Sequence, residues 1–348
     1  MKIISVWYAV LVLVTAACAQ TDENHAERHS PLLEAAAAMP GRAAWEPLPL
    51  LAGRTAYLPL IKRALHDQSP VTRRRALFVA GCLGNRAIVP SVKPALKHPD
   101  RLVRMQAAVA LAALGRVEGA PGATVALREG PQWLRLYALQ ALWRLNSPAA
   151  REALRGSTDY LSPFLQARLK DALASSPMPL VMKLLAAPAP ASLYDLWLEV
   201  ADTFILESDH WWHEGDYDQS IRCQQTALFF DPANVDAFTN VAWLQWSMGR
   251  HGEAVQTYRQ AIAANPQSWE AAQALGGYYW GHSQREAAVE YFQLAARLGS
   301  PAIPRRTLGH ALETLGRYDE ARQVWQDILK LDPNDAIAKR QLERLKGD

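Results

Sequence analysis

The sequence predicts an all-α chain built as two consecutive α-solenoids, and three observations carry that expectation. Trp212, Trp246 and Trp280 recur every 34 residues, and a fixed period of that length marks stacked helical pairs. Ala76, Ala107 and Ala138 recur every 31 residues within a different stretch rich in Ala, Leu and Arg, a composition that favours helix. The chain is 50% hydrophobic and 20% charged, which is globular rather than disordered. Its 348 residues suffice for two domains of ordinary size.

Residues 1–18 read as an export signal. Lys2 is the only charge ahead of an apolar run from Ile3 to about Val14, shorter than the ~20 apolar residues of a membrane span. Ala17-Cys18-Ala19 offers a cleavage site that would release a soluble protein. Thr15-Ala16-Ala17-Cys18 resembles the bacterial lipobox, with Thr15 where Leu is usual, and would place a lipid on Cys18. The lipoprotein reading is preferred, and an uncleaved anchor is the third option. Either cleaved form is expected in the periplasm or envelope. Residues 19–52 form a polar tether, with a short helix expected over Glu34–Met39. Only Cys82 and Cys223 remain beyond the signal, too few for a disulfide framework. Both lie within apolar helix patterns and are expected as small buried hydrophobes.

Residues 53–176 carry the 31-residue period. Val71-Thr-Arg-Arg-Arg-Ala-Leu-Phe-Val-Ala-Gly-Cys-Leu-Gly84 aligns with Leu102–Gly115 and Trp133–Asn146. Each closes on Gly or Asn, which tolerate a left-handed C-cap. Ser69-Pro70 and Asp100 suit helix starts. Gly119, Pro121 and Gly122 should shorten or break the helix near Val117–Leu127. Pro163–Ala174 reads as one more degenerate helix. This array resembles HEAT repeats. Residues 177–194 contain Pro177, Pro179, Pro188 and Pro190 and read as a connector.

Residues 195–335 carry four units, at 201–234, 235–268, 269–301 and 302–335. Small residues recur at Ser220, Ala254, Ala288 and Ala321, and again at Ala227, Ala261 and Ala295. Such positions let paired helices nest closely. Gly215, Gly249, Ser283 and Gly316 mark the turns, and Pro232, Pro266, Pro301 and Pro333 mark unit ends. These residues resemble the tetratricopeptide repeat, most plainly at Val235-Asp-Ala-Phe-Thr-Asn-Val-Ala-Trp-Leu-Gln-Trp-Ser-Met-Gly. Residues 336–348 read as a charged closing helix.

Helical spacing separates two faces of each first helix. The face Phe204-Ser208-Trp211, with its equivalents, should pack inside. By the resemblance, the other face lines a concave groove and includes Asp209, Trp212, Thr239, Trp243, Trp246, Gln273, Trp280, Arg306 and His310. Tryptophan buries a large area with few rotamers and suits a binding surface. Packing between repeats accounts equally well for the ladder. The family's clamp for a C-terminal carboxylate is absent, since Asp209, Trp243 and Gly277 stand in its place. Only Arg306 and His310 are expected to hold an anionic group. His210 and His213, and His25 and His29, invite a metal reading, but turn sequence and helix-dipole preference explain the first pair. No metal or cofactor is expected.

Residues 54–170 carry 19 Lys and Arg against 6 Asp and Glu, and residues 195–348 carry 14 against 22. With an export signal, the basic array suggests anionic lipid or an acidic envelope component rather than nucleic acid. Arginines that simply recur with the repeat are the competing explanation. No nucleophile elbow, phosphate loop, zinc-protease or haem-attachment motif is present in the sequence. The expectation is therefore a non-catalytic envelope scaffold that binds a protein or peptide. The alternatives are a self-assembling subunit pairing its acidic array with a basic one, or an accessory subunit of an enzyme such as a HEAT-like lyase.

Overall fold

A computed structural model describes residues 55–157, 161–175, 190–298 and 302–345. The signal, Cys18, the tether and most of the proline-rich stretch lie outside the described residues. All regular structure among the described residues is helical, as the all-α expectation requires. None of these helices is long and apolar enough to cross a membrane. The chain packs as two units, the first ending at Phe230 and the second starting at Asp231.

The first unit holds α1 (Leu58–Ala64), α2 (Pro70–Leu83), α3 (Arg101–Ala113), α4 (Ala120–Glu129) and α5 (Gln132–Leu145). It continues through α6 (Pro148–Arg155), α7 (Pro163–Ala174), α8 (Leu193–His213) and α9 (Tyr217–Phe230). Prolines 90 and 94 break residues 86–97 into short helical turns. Helices α2, α3 and α5 are the 31-residue repeats. Ser69 and Asp100 accept hydrogen bonds from the amides of Thr72 and Val103 and so cap α2 and α3. Gly84 and Asn146 close α2 and α5 in the left-handed conformation.

Ala76, Ala107 and Ala138 are fully buried, and α2 packs on α3 and α3 on α5. The break expected near Gly119 is a 3-10 turn over Val117–Gly119 that leads into α4. A Cβ on Gly119 would lie 2.4 Å from the Ala108 carbonyl oxygen, so only glycine allows that approach to α3.

The hydrophobic core of the first unit runs from Tyr57 through to Phe230. Phe78 on α2 is a hub. Its ring meets Tyr137 at 4.6 Å, Phe230 at 5.5 Å and Phe204 at 5.7 Å. Trp133 stacks on Phe229 at 4.8 Å, and Arg75 Nε donates to the Phe229 carbonyl at 2.8 Å. The first 34-residue helical pair, α8 and α9, thus shares its core with the 31-residue repeats, although the sequence places the change of repeat type near 177–194. Cys82 and Cys223 are both buried, as expected.

The second unit holds α10 (Val235–Ser247), α11 (His251–Ala264), α12 (Trp269–Gly281), α13 (Arg285–Arg297), α14 (Ala302–Thr314), α15 (Tyr318–Leu331) and α16 (Ala336–Arg344). Asn234, Ser268 and Asp335 cap α10, α12 and α16. Gly249, Ser283 and Gly316 turn each pair with positive φ. Ala254, Ala288 and Ala321 are fully buried. Within a pair, the first helix supplies a hole and the second fills it. A Cβ on Gly276 would meet Phe292 at 2.5 Å, and one on Gly309 would meet Trp325 at 2.6 Å.

Candidate functional site

Three first helices of the second unit, α10, α12 and α14, carry most of the residues singled out by the groove pattern. Trp243 is the most open of the tryptophans among them, 42% exposed. Its ring stands perpendicular to that of Trp246, with centroids 6.3 Å apart. Trp246 is half-buried. Burial pushes the Tyr258 hydroxyl up to about 12, and the neighbouring Trp246 indole works against that rise. Thr239 is turned onto its own helix, donating to the Asp236 carbonyl at 3.0 Å.

On α12, Gly277 occupies the position equivalent to Trp243. Beyond its chain neighbours and the adjacent backbone of its own helix, no atom lies within 4 Å of the place its Cβ would take. The neighbouring exposed surface of α12 is also small, with Ala274 half-buried and Gly281 exposed. Gln273 donates through Nε2 to Thr307 Oγ1 at 3.0 Å, and its buried Oε1 has no hydrogen-bond partner among the described residues. Trp280 is half-buried. One face is covered by the Arg285 guanidinium at 4.1 Å from the ring centre, a cation–π contact. Its ring centre lies 6.2 Å from that of Phe292.

On α14, the two residues expected to hold an anion already have partners. Arg306 pairs with Asp335 at 2.5 Å. Burial works against the Asp335 charge, but the Ala338 amide, Arg306 and the Ile337 amide outweigh it, so its carboxyl sits below the ordinary range. His310 stands edge-on to Trp325 at 4.9 Å and lies 4.0 Å from Glu313. Partial burial pushes its imidazole pKa down, so it offers little positive charge near neutral pH. Glu313 is held by the Trp325 indole at 2.7 Å and by Arg344. The open apolar part of this face therefore centres on Trp243 and Gly277, while at its α14 end Arg306 and Glu313 are engaged by α15, α16 and the residue that caps α16.

Asp209 and Trp212 belong to the first unit. Trp212 is 41% exposed, with its ring edge-on to His213. His213 Nδ1 lies 2.9 Å from the Asp209 carbonyl oxygen, so that histidine serves its own helix end. Among the described residues no group of three or more His, Cys, Asp or Glu side chains is placed to hold a metal ion.

The basic array uses its recurring arginines on its own backbone. Arg73, Arg104 and Arg135 are spaced by 31 residues. Arg73 donates to the Asp67 carbonyl, Arg104 to those of His98 and Pro99 at 2.7 and 2.6 Å, and Arg135 to that of Gly130 at 2.7 Å. Each ties down the loop ahead of its helix. A cleft of about 280 Å³ beside α3 and α4 has Leu96, Met105 and Val125 on its walls and Arg101 at its rim; Arg101 is paired with Glu129. Lys93 and Arg116 hold Glu118 nearby, and the Lys93 contact is the main cause that lowers its pKa to about 2.

Comparison with known proteins assigns the repeats. Residues 57–130 match the HEAT-repeat family. Residues 206–268 and 239–303 match one tetratricopeptide-repeat family and residues 303–345 match another. Among curated relatives, BBSome complex member BBS4 of Xenopus tropicalis is 29% identical over 122 residues, which is 35% of this chain and 24% of that protein. The Protein CTR9 homolog of Arabidopsis thaliana is 25% identical over 125 residues, or 36% of this chain and 8% of that protein. The chain thus spans a quarter or less of the length of these relatives. Among solved structures, MamA from Desulfovibrio magneticus RS-1 is 18% identical, with a TM-score of 0.31 over 59% of this chain and 98% of that one. Yeast Tom70 is 13% identical, with a TM-score of 0.37 over 80% of this chain and 57% of that one.

Proposed function

We propose that this chain, a tetratricopeptide-repeat protein with HEAT repeats ahead of its tetratricopeptide units, is an envelope scaffold that binds a peptide or protein segment on the α10–α12 face. Repeats of these families form protein-interaction scaffolds and are generally non-catalytic. One observation carries the finer reading: Trp243 stays open next to a helix whose equivalent position, Gly277, has empty space above it. An exposed indole beside a bare helix surface gives a partner side chain both an aromatic wall and room to enter. Trp246 supports that wall from a half-buried position, edge-on to Trp243. The envelope setting rests on the Lys2–Cys18 signal in the sequence.

The test is crosslinking and pull-down from envelope fractions. Trp243→Ala and, separately, Gly277→Leu are expected to lose the captured partner while leaving the melting temperature near that of the parent. Unchanged capture by both variants would remove the groove reading. Cys18→Ser reports on the address: release from the membrane fraction supports a lipid anchor, and retention rejects it. Arg73, Arg104 and Arg135 serve their own loops, so a protein partner, rather than anionic lipid, is the favoured ligand class.

A further inference from the structure

Two histidines at adjacent turns of the second unit form an arrangement that the groove does not use. His251 is the first residue of α11, just after the Gly249 turn, and His282 caps the end of α12, just before the Ser283 turn. Their ring centroids are 5.1 Å apart, with planes at 77°. One residue, the buried Tyr278, engages both rings. His282 Nδ1 lies 2.8 Å from the Tyr278 carbonyl oxygen and so carries the proton that it donates. His251 Nδ1 lies 3.1 Å from the Tyr278 hydroxyl. His282 also stacks on the Tyr278 ring at 4.2 Å. Each ring thus has its Nδ1 occupied and its orientation fixed by the same residue, and Nε2 is the nitrogen left to bind elsewhere.

We propose that His251 and His282 form a two-imidazole site for a divalent transition-metal ion of the Zn²⁺, Ni²⁺ or Cu²⁺ class, with Tyr278 as the positioning residue. Imidazole nitrogen suits these ions among the first-row metals. Metal-bound histidines characteristically donate their other ring nitrogen to a carbonyl or similar oxygen, which fixes tautomer and orientation, and Tyr278 supplies both such oxygens here. With metal–nitrogen bonds of about 2.0–2.1 Å and a roughly tetrahedral angle, two coordinated rings place their centroids about 5 Å apart, close to the separation observed. The chain offers two ligands, so the remaining positions go to water or to a donor from a bound partner. This proposal is independent of the groove reading.

The experiment is isothermal titration of the untagged full chain with ZnCl₂ and NiCl₂ in parallel with His251→Ala, His282→Ala and Tyr278→Phe. Because nine histidines occur in the sequence, the readout is the difference between parent and variant. The parent is expected to bind one more equivalent than either histidine variant. Tyr278→Phe, which keeps the ring and the carbonyl but removes the hydroxyl, should weaken that equivalent by about 10-fold. Cu²⁺ should also quench tryptophan fluorescence more strongly in the parent than in either histidine variant, since Trp246 lies 5.6 Å from the His282 ring. His251 is exposed, so its alanine variant removes the ligand with little loss of buried surface. Equal stoichiometry and affinity in the parent and in His251→Ala would overturn the proposal.

Discussion

In the tetratricopeptide units the hole and the ring that fills it lie close in the chain. Gly276 takes Phe292, and Gly309 takes Trp325, 16 residues on in both cases. In the HEAT-like array, Gly81 on α2 takes the hydroxyl of Tyr137 on α5, where a Cβ would stand 2.0 Å from that oxygen. The same tyrosine donates to the Phe78 carbonyl at 3.2 Å. One array closes its packing within a helical pair, and the other closes it across three repeats. A unit that satisfies itself can lose order alone, whereas contacts of long sequence separation tie distant helices into one cooperative block.

The largest expected effect tests the local half of that contrast. Trp325 is fully buried, and its indole donates to Glu313. Trp325→Ala should cost about 3–5 kcal/mol of local stability. Hydrogen exchange should then show protection lost over α14, α15 and α16 and kept over α2, α3 and α5. Protection lost equally in both regions would mean that the closure is not local.

The glycines come next. Gly81→Ala and Gly276→Ala each force a ring to move and should cost about 1–3 kcal/mol by urea unfolding. The first should loosen α2, α3 and α5 together, the second α12 and α13 only. Gly277→Ala has the opposite sign. It meets open space and should gain up to about 1 kcal/mol from helix propensity. Adjacent glycines with opposite responses would separate the packed face of α12 from its open face.

Much of this contrast is legible in the sequence and some is not. The periods of 31 and 34 reveal both arrays, because each repeat must present the same small positions to its neighbours. The break at Gly119, the helix at Pro163–Ala174 and the closing helix beginning at Ala336 follow from proline, glycine and charge. The shared core of α8 and α9 with the 31-residue repeats is not legible, because Phe78, Phe204 and Phe230 have no common period. On the candidate face, the pattern places Trp243 and Gly277 in one row. It gives no sign that Arg285 covers Trp280, or that Arg306 pairs with Asp335, since both depend on side chains reaching between elements. His251 and His282 escape notice because they occupy different positions of their repeats and meet only where successive turns adjoin.

The loops preceding the helices give a smaller contrast. The HEAT-like array adds long side chains to its short caps, as Arg135 does to Gly130, and α10 of the tetratricopeptide array relies on the short cap Asn234. Arg135→Ala and Asn234→Ala should each cost about 1 kcal/mol. Arg135→Lys should recover little, because one ammonium does not reproduce the guanidinium geometry. Full recovery by lysine would show that charge, rather than the directed bond, holds the loop.

The smallest effect concerns one turn. Gly215, Gly249 and Gly316 adopt positive φ, and Ser283 does so at 61° in the equivalent place. A side chain in this conformation crowds its own backbone, a cost that glycine avoids. Ser283→Gly should therefore raise stability by about 0.5–1 kcal/mol, and Gly249→Ser should lower it by a similar amount, both read from urea midpoints at constant m-value. If Ser283→Gly instead lowers stability, the serine hydroxyl is holding its turn, and the turn between α12 and α13 differs in kind from its siblings. That turn adjoins His282, so the same pair of variants also measures how firmly the backbone fixes the second imidazole.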